Sequence, residues 1–142
     1  MSIDVTDLQG IIKLDKKKIK AAAARVLKFL GEADAELSLL LVDDDYIRLL
    51  NHKYLDIDSR TDVLAFSMRE GEGVPMDSLI LGDVVISVET AMREARKRKI
   101  PIMKELYLYL AHGILHLLGY DDGNPPDKDK MKAKEIQLLE VM

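Results

Sequence analysis

The sequence predicts an α/β (α+β) fold, in which a small mixed four-stranded sheet packs with helices around a central, histidine-bearing helix. Three observations support this prediction. The hydrophobic periodicity along the 142 residues changes in the order β-α-β-α-β-β-α-α-α. Residues 36–43 form a short apolar run, which is typical of a strand buried on both faces. Residues 106–118 are apolar nearly all the way round a helix, which places that helix at the centre of the fold.

The first half of the chain supplies two strands and two helices. Residues 2–8 alternate apolar and polar side chains, the period of a half-buried strand. Asp15 can cap the helix that follows. The apolar stripe of that helix recurs at helical spacing and consists of Ile19, Ala22, Ala23, Val26, Leu27 and Leu30. After the strand at 36–43, the acidic run 43–45 begins a second helix that reaches Tyr54, and a helix start explains this run more simply than a cation site.

The middle of the chain predicts two further strands. A polar loop, residues 56–61, precedes the strand at 62–68, and the next strand follows at 79–87. Glycine and proline break the connecting segment, residues 70–78, which has no helical pattern. We therefore expect the two strands to pair in antiparallel fashion. Gly82 and Asp83 should interrupt the second of them.

Three helices complete the chain. Ser87 can cap the first, which ends in a basic cluster. Pro101 is suited to the first turn of the histidine-bearing helix. Pro125 and Pro126 should break the chain before a final amphipathic helix at residues 127–142, whose inward side chains are Met131, Leu138, Leu139 and Met142.

Composition restricts the classes of function. The chain has a formal net charge of −4, no cysteine and no apolar run of membrane-spanning length. These features exclude a disulfide framework, a thiolate metal site and a uniformly basic nucleic-acid coat, but not a local basic patch. Because the sequence has no internal repeat and no long linker, we expect one domain spanning residues 1–142, cytoplasmic and without a membrane partner.

The segment from His112 to Asp122 has the spacing of a metal site. Two histidines four residues apart on a helix lie about 40° apart around its axis, so both rings leave the same face. Gly119 can end the helix and turn the chain, which brings Asp121 or Asp122 toward the rings. Two imidazoles and a carboxylate, with a fourth position for water, form the ligand set of a catalytic zinc site. The alternative is a pair of core histidines, which are costly to bury without partners.

This spacing is similar to the zincin-like motif of zinc peptidases, His-Glu-x2-His-x2-Gly-x2-His/Asp. The general base of those peptidases would stand at position 113, which is a glycine here. The ligand frame is therefore present without the proteolytic base, and this favours a metal hydrolase of another kind.

Three sequence blocks resemble the YbeY family of bacterial metal-dependent endoribonucleases. The blocks are Leu50-Asn51 with residues 61–66 (TDVLAF), residues 81–86 (LGDVVI) and residues 112–121 (HGILHLLGYD). The resemblance implies an enzyme with one zinc ion per chain that cleaves single-stranded RNA and not DNA. It further implies a role in maturing the ribosomal RNA of the small subunit and in ribosome quality control, with ribosomal RNA and the small ribosomal subunit as partners.

The resemblance also assigns roles in the site. His112 and His116 match the first two metal ligands of the family, whereas Asp122 stands where the family has a histidine. Aspartate is a competent zinc ligand, so we expect the metal set to be His112, His116 and Asp122. Asp121 is close enough in sequence to act as a base or to support a ligand histidine.

A second departure from the family lies in the first block. The family has an arginine after the tyrosine and a proline before the threonine, and this chain has Leu55 and Arg60 there. Arg60 lies in the same loop and is our candidate for contact with the phosphate. His52 is expected on the preceding helix, away from the metal.

A basic cluster gives a candidate surface for the RNA backbone. It consists of Arg93, Arg96, Lys97, Arg98 and Lys99, with Lys104 nearby. The alternative is a solvated helix end that the helix dipole favours.

Two other classes of protein compete with an endoribonuclease. A metallopeptidase-like hydrolase is disfavoured by the missing glutamate. A non-catalytic, ribosome-associated module with a structural metal is disfavoured by the open coordination position, because structural zinc is usually closed by four protein ligands.

Overall fold

The computed structural model describes residues 2–69 and 78–142. In chain order the elements are β1 (Ser2–Asp7), α1 (Lys16–Phe29), β2 (Glu36–Val42), α2 (Asp44–Leu55), β3 (Val63–Ser67), β4 (Ile80–Ser87), α3 (Val88–Arg98), α4 (Ile102–Leu117) and α5 (Pro125–Val141). This order confirms the predicted succession of strands and helices. The expected break at residues 70–78 lies, as far as residue 77, outside the described residues.

Within the described part of the chain, the four strands form one mixed sheet in the order β1-β2-β4-β3. β1, β2 and β4 are parallel, and β3 is antiparallel to β4, as predicted. The expected interruption at Gly82 and Asp83 was wrong, because β4 is continuous through both residues. The irregularity is instead a register shift against β2 between Glu36 and Leu37, which pair with Ile80 and Gly82.

The sheet separates two apolar clusters, because successive side chains of a strand point to opposite faces. Val84 and Ile86 of β4 enter the larger cluster, which also holds the buried side chains of α1 and α4. Val85 enters a smaller cluster with Ile47 of α2 and Leu64 of β3. The centre of the sheet is therefore covered on both faces, as the apolar run in β2 predicted.

Helix α4 lies close against the sheet, and glycines permit the contact. A Cβ atom at Gly113 would lie 2.6 Å from Cγ1 of Val84. Gly82 has a φ of +145°, and a Cβ there would lie 2.2 Å from the carbonyl oxygen of Phe66 and 2.9 Å from Cδ2 of Leu117. The apolar surface of α4 is thus buried inside the fold.

No helix of residues 2–69 and 78–142 combines the length and the hydropathy that a membrane span requires.

The helix starts agree with the predicted caps, with one correction. The side chains of Asp15, Asp43 and Ser87 each accept backbone N–H groups at the start of α1, α2 and α3. The expected chain break at Pro125 and Pro126 was wrong, because these residues form the first turn of α5. A backbone N–H in the first turn has no partner within the helix, so the missing N–H of proline costs no hydrogen bond there.

Candidate metal centre

The two histidines of α4 face each other at the end of the helix. Their Nε2 atoms are 3.0 Å apart. The helix ends at Leu117, and Gly119 turns the chain with a φ of +93°. The helical spacing and the helix-ending glycine therefore act together as the sequence predicted.

The turn after α4 brings a carboxylate to the two rings. Oδ2 of Asp122 lies 3.8 Å from Nε2 of His112 and 4.0 Å from Nε2 of His116. Zinc bonds of 2.0–2.2 Å in a tetrahedron place ligand atoms roughly 3.3–3.6 Å apart. A small inward movement of Asp122 and a small separation of the two rings, whose Nε2 atoms are 3.0 Å apart, therefore satisfy the geometry. The side chains of His112, His116 and Asp122 are 27%, 30% and 44% exposed, which leaves the set open to solvent. The chemistry and the spacing of these donors fit a zinc ion.

Glu135 of α5 orients one of the rings, a role that was not predicted from the sequence. Its carboxylate is hydrogen-bonded to Nδ1 of His112. A carboxylate at Nδ1 keeps the proton of a neutral ring on that nitrogen and turns the lone pair of Nε2 toward the metal position. Burial lowers the pKa of His112, but the hydrogen bond and the charge of Glu135 outweigh this effect and raise that pKa above its usual value. A proton therefore competes with a metal ion for this ring.

Asp121 lies beside the metal set but is occupied in the turn. Its Oδ1 accepts the backbone N–H groups of Asp122 at 2.7 Å and Gly123 at 3.2 Å. It lines a groove against α5 together with Lys130 and Lys134, whereas His112 lines a different cleft. The structure therefore connects Asp121 to the backbone that carries Asp122, and not to the rings.

The cleft beside His112 has an open volume of about 580 Å³. Its walls are residues 60–63, one face of α3, the His112 face of α4 and Glu135 of α5. Arg60 lies in this wall with its side chain 58% exposed. The structure thus brings Arg60 and His112, which are far apart in sequence, to one cleft.

The basic cluster divides between two surfaces. Arg93, Lys97 and Arg98 line the cleft. Arg96 lines only a neighbouring groove with Ile11, which Arg93 and Lys97 also border. Lys99 has a left-handed backbone conformation and caps the end of α3. Lys104 is exposed but does not line the cleft. Part of the cluster therefore faces the site, and part of it is a solvated helix end.

The two remaining positions of the first block lie outside the metal set. Leu55 is the last residue of α2 and is half-exposed. His52 is exposed on the same helix, as predicted, and is not part of the group that could hold a metal among the described residues.

Similarity to known proteins extends over nearly the whole chain. Residues 4–142 match the family model described as Endoribonuclease YbeY. The chain is 44% identical over 139 residues to the Endoribonuclease YbeY of Syntrophotalea carbinolica, and the match covers 96% of this chain and 93% of that protein. It is 41% identical over 145 residues to the Endoribonuclease YbeY of Pelotomaculum thermopropionicum, with 98% and 95% covered.

A solved structure shares the fold. The solution structure of TM1509 from Thermotoga maritima is similar with a TM-score of 0.68 and 25% sequence identity, over 98% of this chain and 87% of that chain. The three sequence blocks, the histidine helix and the full-length match agree. The chain belongs to the Endoribonuclease YbeY family.

Proposed function

We propose that the protein, an endoribonuclease by its family, is a zinc enzyme that cleaves single-stranded RNA in the cytoplasm. One observation supports the proposal most strongly: His112 of the candidate metal set and the guanidinium of Arg60 line the same open cleft. A Lewis acid and a cationic group near the same phosphate both stabilise the negative charge of the transition state in phosphodiester cleavage. The family resemblance favours the ribosomal RNA of the small subunit as the substrate, with the small ribosomal subunit as a partner.

The residues of the site have separate roles in this proposal. His112, His116 and Asp122 hold the metal ion, which when bound supplies Lewis-acid polarisation of a phosphoryl oxygen. Glu135 keeps the His112 ring in its orientation. For Asp121 we propose a supporting role, because it holds the turn that presents Asp122.

Arg60 is the proposed phosphate ligand and takes a catalytic role. Its guanidinium offers several N–H donors in a plane, which matches the oxygens of a phosphate. These donors neutralise charge on the phosphate as the bond to the leaving oxygen breaks. RNA carries its own nucleophile, the 2′-hydroxyl, so the protein need not supply one.

Cations on α3 extend the binding surface. Arg93, Lys97 and Arg98 line the same cleft as His112. Lysine and arginine at phosphates release condensed counterions, which gives affinity without sequence preference. This part of the cleft therefore suits the backbone of an RNA strand.

The environment of Gly113 disfavours the alternative of a metallopeptidase. The Cβ position of residue 113 points at Val84 and Val63 of the sheet, with the nearest atom at 2.6 Å. A glutamate at this position would collide with the core, so this backbone has no room for the peptidase base. The partial exposure of the ligands likewise disfavours a structural metal, which four protein ligands usually enclose.

The proposal is tested by offering zinc-loaded protein four substrates: a single-stranded RNA, its duplex, a DNA oligonucleotide of the same sequence, and casein. We expect cleavage of the single-stranded RNA and loss of cleavage with chelator. His116→Ala should abolish cleavage, while His52→Ala removes an exposed histidine from α2 and should retain it. Cleavage of casein but not of RNA would overturn the proposal, and chelator-resistant cleavage would point to a contaminating ribonuclease.

A further inference from the structure

We propose that Asp44 is a positioning residue, which holds the guanidinium groups of Arg60 and Arg93 side by side at the cleft as one receptor for an RNA phosphate. The inference rests on the proposed function and extends it to a residue outside the three sequence blocks.

Asp44 is a buried acid at the meeting point of two helices. It is the first residue of α2, and its side chain is only 10% exposed. The start of α3 packs against it through Ser87 and Thr90. Both helices therefore direct the positive end of their dipoles toward this carboxylate, which favours its charged form.

The carboxylate divides its two oxygens between two kinds of donor. Oδ1 accepts the hydroxyl of Ser87 at 2.7 Å and the hydroxyl of Thr90 at 2.6 Å. Oδ2 accepts Nη1 of Arg93 at 3.2 Å and Nη1 of Arg60 at 3.5 Å. The hydroxyl groups fix the carboxylate to the fold, and the fixed carboxylate in turn fixes the two guanidinium groups.

The hydroxyl groups are themselves held in place. Oγ of Ser87 accepts the backbone N–H of Thr90 at 3.1 Å as the cap of α3. Nη2 of Arg93 donates to Oγ1 of Thr90 at 3.0 Å. Several hydrogen bonds, from α3 and from the loop at residues 56–62, thus hold the carboxylate of Asp44, which lies on α2. Its position does not depend on any one of them.

The charges leave the arrangement positive toward the cleft. Two guanidinium groups share the carboxylate of Asp44, while the carboxylate of Glu89 accepts the backbone N–H of Asp44 at 3.0 Å. Of these charged groups, only Arg60 and Arg93 line the cleft. Burial raises the pKa of Asp44, but the hydrogen bonds from Thr90, Ser87 and Arg93 outweigh it and keep this pKa below its usual value. The carboxylate is therefore ionised at neutral pH. Arg60 and Arg93 both line the cleft and are 58% and 34% exposed, so their outer N–H groups can reach a phosphate.

The alternative is that the arginines only neutralise a buried acid. The two roles give opposite results when the carboxylate is neutralised. If Asp44 only stabilises the fold, its loss lowers stability and moves catalysis and RNA affinity together. If it positions the arginines, its loss releases positive charge into the cleft, so RNA affinity is retained while the orientation needed in the transition state is lost.

The experiment compares Asp44→Asn with Asp58→Asn. Asp58 pairs with Arg48 at 2.8 Å outside the cleft, so its substitution makes the same change of charge nearby. The single-turnover cleavage rate is measured on a single-stranded RNA, and affinity on its 2′-O-methyl form, which cannot be cleaved through the 2′-hydroxyl. We expect Asp44→Asn to cleave at least about tenfold more slowly with undiminished affinity, and Asp58→Asn to behave like the parent protein.

Thr90→Val guards against a fold defect in Asp44→Asn, because valine keeps the shape of threonine and removes the hydroxyl that Oδ1 accepts. The same hydroxyl also accepts from Arg93, so the variant loses two hydrogen bonds of modest strength. It should slow cleavage about fivefold or more without weakening affinity. A parent rate in both variants, or a parallel loss of rate, affinity and melting temperature in both, would overturn the inference. The parent and His116→Ala report on the proposed function in the same assay. A parent that cleaves no RNA overturns that function and this role together, whereas a cleaving parent with unaltered variants overturns this role only.

Discussion

Two regions of the site are held in different ways: the metal end, which is His112, His116 and Asp122, and the arginine end, which is Asp44, Arg60 and Arg93. Of these residues, His112, Arg60 and Arg93 line the cleft. At the metal end, the side chains of His112, His116 and Asp122 are 27–44% exposed, and their donor atoms face one another across 3.0–4.0 Å. At the arginine end, the Asp44 side chain is 10% exposed and accepts hydrogen bonds from Ser87, Thr90, Arg93 and Arg60. The metal end directs electron pairs at a common point, whereas at the arginine end both oxygens of the Asp44 carboxylate accept hydrogen bonds from the protein.

The difference shows which end needs a ligand. Lone pairs and a negative charge that converge on one point repel one another unless a cation or a proton lies between them. The arginine end has opposite charges in contact and is already ordered when no ligand is bound. The metal end should therefore respond strongly to metal removal, and the arginine end should not.

The largest expected effect is at Asp122, the third donor of the metal end. Asp122→Ala should weaken zinc affinity by more than the roughly 10–100-fold that substitution of an outer hydrogen-bond partner costs. Asp122→His should keep or strengthen binding, because it supplies a neutral nitrogen donor at the same place. Competition with a chromophoric chelator measures both affinities. If Asp122→Ala binds zinc as tightly as the parent, Asp122 is not a ligand, and Asp121 becomes the candidate.

Glu135 gives the next effect, because it acts on the metal through His112. Glu135→Gln should lower zinc affinity about 10–100-fold, since the amide cannot hold the His112 proton as a carboxylate does. Glu140→Gln makes the same change of charge at an exposed position of α5 and should leave the affinity close to that of the parent. Equal affinities in the two variants would show that the contact between Glu135 and His112 does not orient the ring.

A substitution of Gly113 tests the close contact between α4, which carries the two histidines, and the sheet. Gly113→Ala should lower the free energy of unfolding by about 1–3 kcal/mol, because the new Cβ would overlap Val84 and the core is already close-packed. Alanine favours a helix by about 1 kcal/mol over glycine, so a net loss means that the overlap exceeds this gain. Urea unfolding measures the change. Gly123→Ala, where the new Cβ has only ordinary contacts, is the matched control, and a Gly113→Ala protein as stable as this control would contradict the close contact.

The smallest expected effect is on the salt dependence of RNA affinity, and it compares two cations of α3. Lys97 lines both the cleft and the neighbouring groove, so Lys97→Ala removes a cation from the cleft and should reduce the slope of log affinity against log salt by about 1 for a single-stranded RNA. Arg96→Ala removes the same charge from the neighbouring groove and should change the slope less. Fluorescence anisotropy at several salt concentrations measures both. Equal slopes would remove the cleft-lining face of α3 from the RNA-binding surface.

The metal end could be predicted from the sequence because it is local. Helix geometry alone relates His112 to His116, and one glycine turn brings Asp122 back within six residues of His116. The strands and helices were predicted for the same reason, since periodicity and capping residues act over short distances. The positions of Gly82 and the two prolines were misjudged, because a register shift and a proline-started helix depend on how neighbouring segments pack.

Arg60 was a candidate for phosphate contact from the sequence, but its contact with Asp44 and Arg93 could not be predicted, because α2, the loop before β3 and α3 come together only in the folded protein. Asp44, Arg60 and Arg93 lie on α2, a loop and α3, and the acidic run 43–45 was interpreted only as a helix start. That interpretation is confirmed for Asp43, which caps α2, whereas Asp44 points inward. Glu135 did leave a signal: it lies four residues after Met131 and three before Leu138, on the buried stripe of α5.

The central claim is that zinc held at the metal end makes this cleft an RNA-cleaving site. The most direct test removes metal from the protein with a chelator, then returns zinc in measured equivalents and follows the initial rate of cleavage of a single-stranded RNA. We expect no cleavage without metal, and a rate that rises with zinc up to about one equivalent per chain, the stoichiometry of a single three-ligand site. His116→Ala should stay inactive throughout the titration. Full activity in the metal-free protein, or a rate that rises equally in His116→Ala, would contradict the account.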